Sequence, residues 1–102
     1  MPYFALTYEV VDGFTDKRTP YRGSHLEKAR TAAARGELVM AGALGEPDGA
    51  LLVFKAPDRT AVESFAKTDP YVLNGLVTRW SVRPWTVVIG FDESERPAGL
   101  PA

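Results

Sequence analysis

The chain contains no cysteine and a single histidine. The missing cysteine excludes disulfides and thiolate chemistry, and says little about compartment. With one histidine there are few ways to do acid–base chemistry near neutral pH, because only histidine has an unperturbed charge change there. His25 is therefore the first residue to suspect in any reaction. Long hydrophobic runs are lacking too; the apolar stretches fall far short of the ~20 residues that cross a bilayer. An excess of one charge is also missing. Twelve Lys and Arg face thirteen Asp and Glu, for a formal charge of −1. That balance favours neither nucleic acid nor an anionic membrane, both of which select a basic surface. The N-terminal Met1-Pro-Tyr-Phe-Ala-Leu-Thr7 has no basic region followed by a long apolar one. A signal peptide is not expected, and the cytoplasm is the expected location.

What is present fits one domain. The 102 residues are 45% apolar and 25% charged, ordinary for a globular protein and enough to bury a core without disulfides or a structural metal. Residues 1–90 read as the domain. Residues 91–102, with Asp92-Glu-Ser-Glu-Arg-Pro97, read as a mobile tail.

Tyr3 to Val11 alternates like a strand, with Phe4, Leu6, Tyr8 and Val10 on one side and Tyr3, Ala5 and Thr7 on the other. A loop is expected from Asp12 to Arg18. Thr19-Pro20 signals a helix start, and Ser24-His-Leu-Glu27 offers a capping box as a later one. The helix runs through an alanine-rich stretch to Arg35, with Gly36 at its C′ position. Glu37–Ala43 and Ala50–Ala56 read as a hairpin turning between Gly45 and Gly49. Thr60-Ala-Val-Glu63 predicts a capping box for a second helix through Lys67. Asp69 then caps a short turn led by Pro70 and closed by Gly75. Val77 to Ile89 reads as a last strand, with Pro84 marking a bulge or an edge. The order is β-α-β-β-α-β, the ferredoxin-like arrangement of an antiparallel sheet with helices on one face, an α+β fold. The apolar character of both sheet faces predicts a homodimer through the open one.

Several chemical templates do not fit. One histidine, no cysteine and no suitably spaced carboxylates leave no metal set. Gly42, Gly45 and Gly49 are hairpin glycines and do not lead from a strand into a helix, as a nucleotide loop requires. Ser24 and His25 are adjacent on a helix and point different ways. No flavin or haem motif is visible, so no cofactor is expected, and the sheet lacks the aromatic–basic pattern of RNA binders.

Arg22-x-x-His25-Leu26, Gly36-x-Leu38-x-x-Ala41-Gly42, Asp69-Pro70-Tyr71 and Ser81-Val-Arg-Pro-Trp85 together resemble the YCII (YciI-like) family, over roughly residues 3 to 90. The resemblance implies a dimeric α+β barrel, in which two ferredoxin-like sheets face each other. It also implies a pocket near a His–Asp pair, which falls on His25 and Asp69, with Arg22 nearby and Tyr71 on the wall. One branch of the family is similar to a dehydrochlorinase acting on chlorinated hydroxyhydroquinones, with the pair in acid–base roles.

The pair makes physical sense. A carboxylate against one ring nitrogen selects the tautomer and leaves the other nitrogen to exchange a proton. His25 is expected near a helix N-terminus, whose dipole opposes a positive ring, and Asp69 would counter that. Asp69 can also be simply a cap. Arg22 can hold a carboxylate or phenolate, or be a solvated helix residue. Tyr71, Trp80 and Trp85 can line an aromatic pocket, or belong to core or dimer packing. Two functions follow from different classes. One is a small cofactor-free enzyme performing elimination, isomerisation or dehydrochlorination on a hydroxylated aromatic or cyclic compound. The other is a non-catalytic dimeric module that binds a small molecule or serves as an accessory to a larger enzyme.

Overall fold

The computed structural model describes residues 1–90; the tail expected at 91–102 lies outside the described residues. Eight elements follow in order: β1 (Tyr3–Val10), α1 (Phe14–Lys17), α2 (Thr19–Ala34), β2 (Leu38–Leu44), β3 (Gly49–Lys55), α3 (Arg59–Thr68), α4 (Pro70–Leu73) and β4 (Val77–Trp85). The strands form one sheet in the order β2-β3-β1-β4, with every neighbouring pair antiparallel. This is the ferredoxin-like α+β arrangement.

Four local readings need correction. The loop expected at 12–18 holds the single-turn helix α1, whose Phe14 is buried; one buried aromatic is too little periodicity to reveal a helix. The cap of α3 is Asp58, which accepts from the Ala61 N–H, so the helix begins one residue before Thr60. The last strand ends at Trp85 and does not reach Ile89. Pro84 sits on an edge strand, where its missing N–H costs no ladder bond. The irregularity in that pairing lies instead at Glu9/Val10. The fourth correction matters for chemistry. Helix α2 starts at Thr19, with Pro20 in its first turn, so His25 is two turns in and outside the reach of the N-terminal dipole.

Glycine ends α2 as the sequence predicts. Gly36 has φ 78°, a left-handed conformation that only glycine adopts at little cost. Its N–H and that of Glu37 bond back to Ala33 and Ala32, which turns the chain into β2.

Strand alternation decides what is buried. Phe4, Leu6 and Tyr8 of β1 join Leu52 and Phe54 of β3, Val82 of β4, and Val62, Phe65 and Ala66 of α3 in one core. The Phe54 and Phe65 rings meet edge to face at 5.0 Å. Trp80 packs partly against this core, opposite Tyr8 in the ladder. The other sheet face carries Tyr3, Ala5 and Thr7 opposite Lys55, Val53 and Leu51, flanked by exposed Met40, Leu44 and Trp85.

Helix α2 contributes little to the core. Only Ala32 is fully buried there, with Tyr21 and Ala29 partly so. Its alanines Ala29 and Ala33 face Ala41, Ala43 and Ala50 of the sheet across a gap. Small side chains on both walls cannot fill the space between helix and sheet, and a cleft remains.

Candidate functional site

The chain reaches the site through a sharp stop. A residue before proline is excluded from the helical region by the proline ring. Asp69, ahead of Pro70, accordingly has φ −66° and ψ 128°. It ends α3 and at once caps α4, its Oδ1 accepting from the Tyr71 N–H at 2.9 Å. That turn aims the carboxylate inward, where it is 0% exposed.

Three donors from three elements meet this buried carboxylate. Besides the Tyr71 N–H, the Tyr8 hydroxyl of β1 donates to Oδ2 at 2.7 Å. From α2, His25 Nδ1 lies 2.9 Å from Oδ1 and 3.0 Å from Oδ2. A carboxylate only accepts, so Nδ1 carries the proton and Nε2 is left with the lone pair. Among the described residues Nε2 meets no protein partner, and no buried side-chain nitrogen or oxygen lacks one. Nε2 is therefore open to solvent, in a ring whose side chain is 14% exposed. Tyr71 fixes the ring plane: its own ring stacks on the imidazole at 3.9 Å with 12° between planes, and is held from behind by Phe14, edge-on at 5.2 Å. The short helix α1 thus supports the site at one remove.

The two tyrosines stay protonated through the neutral range. Burial first, then the Asp69 charge and the hydrogen bond to it, push the Tyr8 phenol far above its ordinary value. Burial also raises Tyr71, although the guanidiniums of Arg22 and Arg18 pull the other way. A raised phenol favours the folded state while the unfolded tyrosine is still protonated. That contribution is complete below the unfolded value of 10.0 and is lost as pH rises beyond it. Thermal melts are therefore expected to show stability falling above about pH 10, with a shallower fall in Tyr8→Phe. An identical alkaline slope in the two proteins would remove Tyr8 as its source.

The cleft beside His25 has a volume of about 400 Å³, within the range of small-molecule sites. His25, Tyr71, Tyr8 and Arg22 all line it, with Arg18 and Arg30. Its apolar walls come from α2 (Leu26, Ala29) and from the helix-covered face of the sheet (Leu38, Ala41, Leu52). Arg22 is exposed at its α2 position, and its charge acts on the Tyr71 phenol. Trp80 and Trp85 stand apart: neither lines the cleft. Among the described residues, no three His, Cys, Asp or Glu side chains converge as a metal site would require, and no helix is long and apolar enough to cross a membrane.

Two participants escaped the sequence reading. Tyr8 is buried on the core face of β1, and a buried tyrosine needs a partner for its hydroxyl; Asp69 is that partner. Arg18 was assigned to a loop, so its four-residue spacing to Arg22 along a helix was not visible.

This architecture has solved counterparts. A dehydrochlorinase for 5-chloro-2-hydroxyhydroquinone, TftG from Burkholderia phenoliruptrix AC1100, was solved in complex with 2,5-dihydroxybenzoquinone. It is 23% identical, with a TM-score of 0.71 over 81% of this chain and 92% of that one. Protein Atu4242 from Agrobacterium tumefaciens is 17% identical, with a TM-score of 0.50 over 83% of this chain and 91% of that one. At these identities the likeness is one of fold. No curated protein sequence matches this chain significantly. The YCII-related domain matches residues 1–86, nearly the whole of the described fold, and the chain belongs to the YCII family.

Proposed function

We propose that this protein is a small enzyme that moves a proton with His25, oriented by Asp69, and needs no cofactor for that step. Its substrate is a small hydroxylated aromatic or cyclic compound. The reaction is an elimination, with dehydrochlorination as the leading form and isomerisation as the variant without a leaving group. The observation that carries this reading is the imidazole itself, with Nδ1 tied to a buried carboxylate and Nε2 open beside an apolar cleft. Positioned general bases of this kind typically contribute about 10²–10⁴ in rate.

In the elimination, Nε2 takes a proton from the substrate. The electron pair released forms a new π bond, and chloride leaves with the electrons of the carbon–chlorine bond. The imidazolium then gives its proton to water, so HCl is lost overall and no oxidant is needed. The Tyr71 ring and the apolar walls hold the substrate ring, and Arg22 stabilises a phenolate. The fold-level likeness to a dehydrochlorinase supports the choice of substrate class. The test is to incubate the protein with chlorinated hydroxyhydroquinones and follow free chloride and the quinone product. Ligand binding without any chemical change would instead favour a non-catalytic binding module.

A homodimer through the open sheet face belongs to the same reading. Met40, Leu44 and Trp85 are 66%, 47% and 44% exposed around that face, an apolar surface suited to a second copy. Sedimentation equilibrium is expected to give twice the 11.1 kDa chain mass, and Leu51→Arg, at the middle of the face, a monomer. A wild-type monomer at micromolar concentration would overturn the dimer.

A further inference from the structure

The cleft is more strongly charged than proton transfer alone requires. Three guanidiniums, Arg18, Arg22 and Arg30, line it and no carboxylate does. Among the described residues none of the three is within ion-pairing distance of an acidic side chain. Glu27, the nearest acidic residue on α2, turns into the separate groove between α2 and α3. Arg18 rests on the Phe14 ring, 5.3 Å from its centre, and with Arg22 it acts on the Tyr71 hydroxyl. Those two cations therefore belong to one end of the cleft. Arg30 stands further along the same helix. At 1.5 Å per residue its backbone lies about 12 Å from that of Arg22, with His25 between them.

We propose that the cleft selects ring compounds bearing two anionic groups on opposite sides, one held by Arg22 with Arg18 and the other by Arg30. This rests on the catalytic reading only in placing the ring beside His25. The apolar walls take the body of the ring. Each guanidinium offers a planar fork of donors matched to a carboxylate or an acidic enolate. Charges facing into an apolar cleft also concentrate anions there. A neutral quinol would leave all three guanidiniums without an anionic partner, and a monoacid would leave one end of the cleft without one.

Calorimetric titration of the whole chain with terephthalate, benzoate and hydroquinone tests this, in wild type, Arg30→Met and Arg22→Met. Methionine keeps much of the apolar stem and removes the charge. Terephthalate is expected to bind wild type at least about tenfold tighter than benzoate, with hydroquinone weakest, as expected for one added charge-assisted contact. Arg30→Met is expected to bring terephthalate down to the benzoate level and leave benzoate within about threefold, well below the effect of a lost charge-assisted bond. Three results would overturn the proposal: equal terephthalate affinity in wild type and Arg30→Met, hydroquinone bound as tightly as terephthalate, or no binding of any probe. The two readings fail separately. A diacid preference lost in Arg30→Met, in a protein that converts no compound, removes the enzyme and keeps the clamp. Chloride release by a protein whose terephthalate affinity ignores Arg30 does the reverse.

Discussion

His25→Asn is expected to lower turnover by roughly 10²–10⁴-fold, the contribution typical of a positioned general base, while leaving stability within about 1 kcal/mol. Asparagine places an amide donor close to where Nδ1 stands, so the bond to Asp69 is kept. What disappears is Nε2, the nitrogen open to the cleft. Asp69→Asn should reduce turnover over the same range by a different route. An amide can donate as well as accept, so the imidazole is no longer held with its proton on Nδ1. Ring-nitrogen NMR separates the causes, and the single histidine makes assignment direct. Wild type is expected to show the Nδ1-protonated tautomer, and Asp69→Asn a mixture or the opposite form. Full turnover in His25→Asn on a substrate that wild type converts would overturn the catalytic assignment.

Asp69→Ala is expected to be the most destabilising single change in the site, by roughly 2–5 kcal/mol, because one truncation removes two kinds of support. The α4 cap is lost, worth about 0.5–2 kcal/mol. The Tyr8 hydroxyl is left buried without an acceptor, costing about 1–3 kcal/mol. Tyr8→Phe in the Asp69→Ala background should recover part of that loss, because it removes the orphaned hydroxyl. In wild type the same substitution should be destabilising. Opposite signs in the two backgrounds are the signature of a direct interaction, read from denaturant unfolding of the four proteins. Asp69→Ala unfolding at the wild-type midpoint would mean that the carboxylate is not held as the geometry indicates.

Asp69 joins the two halves of the problem. Its value as a cap is local, legible from Asp69-Pro70-Tyr71 without any tertiary knowledge, since proline both ends α3 and starts α4. Its value as the partner of His25 is not local at all. The two residues are 44 positions apart, and nothing in propensity or spacing sets that distance. The family resemblance implies the pair, and the packing of α2 against α4 brings the two side chains together.

The order of the main elements, the hairpin, the glycine ending α2 and the division of β1 into two sides were determined by the sequence itself; which side is the core was not. Each follows from a short-range rule: side-chain alternation, proline at helix starts, glycine in left-handed turns. The start of α3 slips where two short-range signals compete, Thr60 against Asp58. The Thr19 start of α2 holds, and it is that early start which leaves His25 beyond the dipole expected to act on it. Only the tertiary structure decided which polar groups meet: Tyr8 with Asp69, Tyr71 stacked on His25, three arginines along one cleft. Those contacts depend on how far a helix stands from a sheet, which is fixed by the packing of many side chains together. Here alanines on both sides leave the space, and a buried carboxylate that must be satisfied draws its donors from three separate elements.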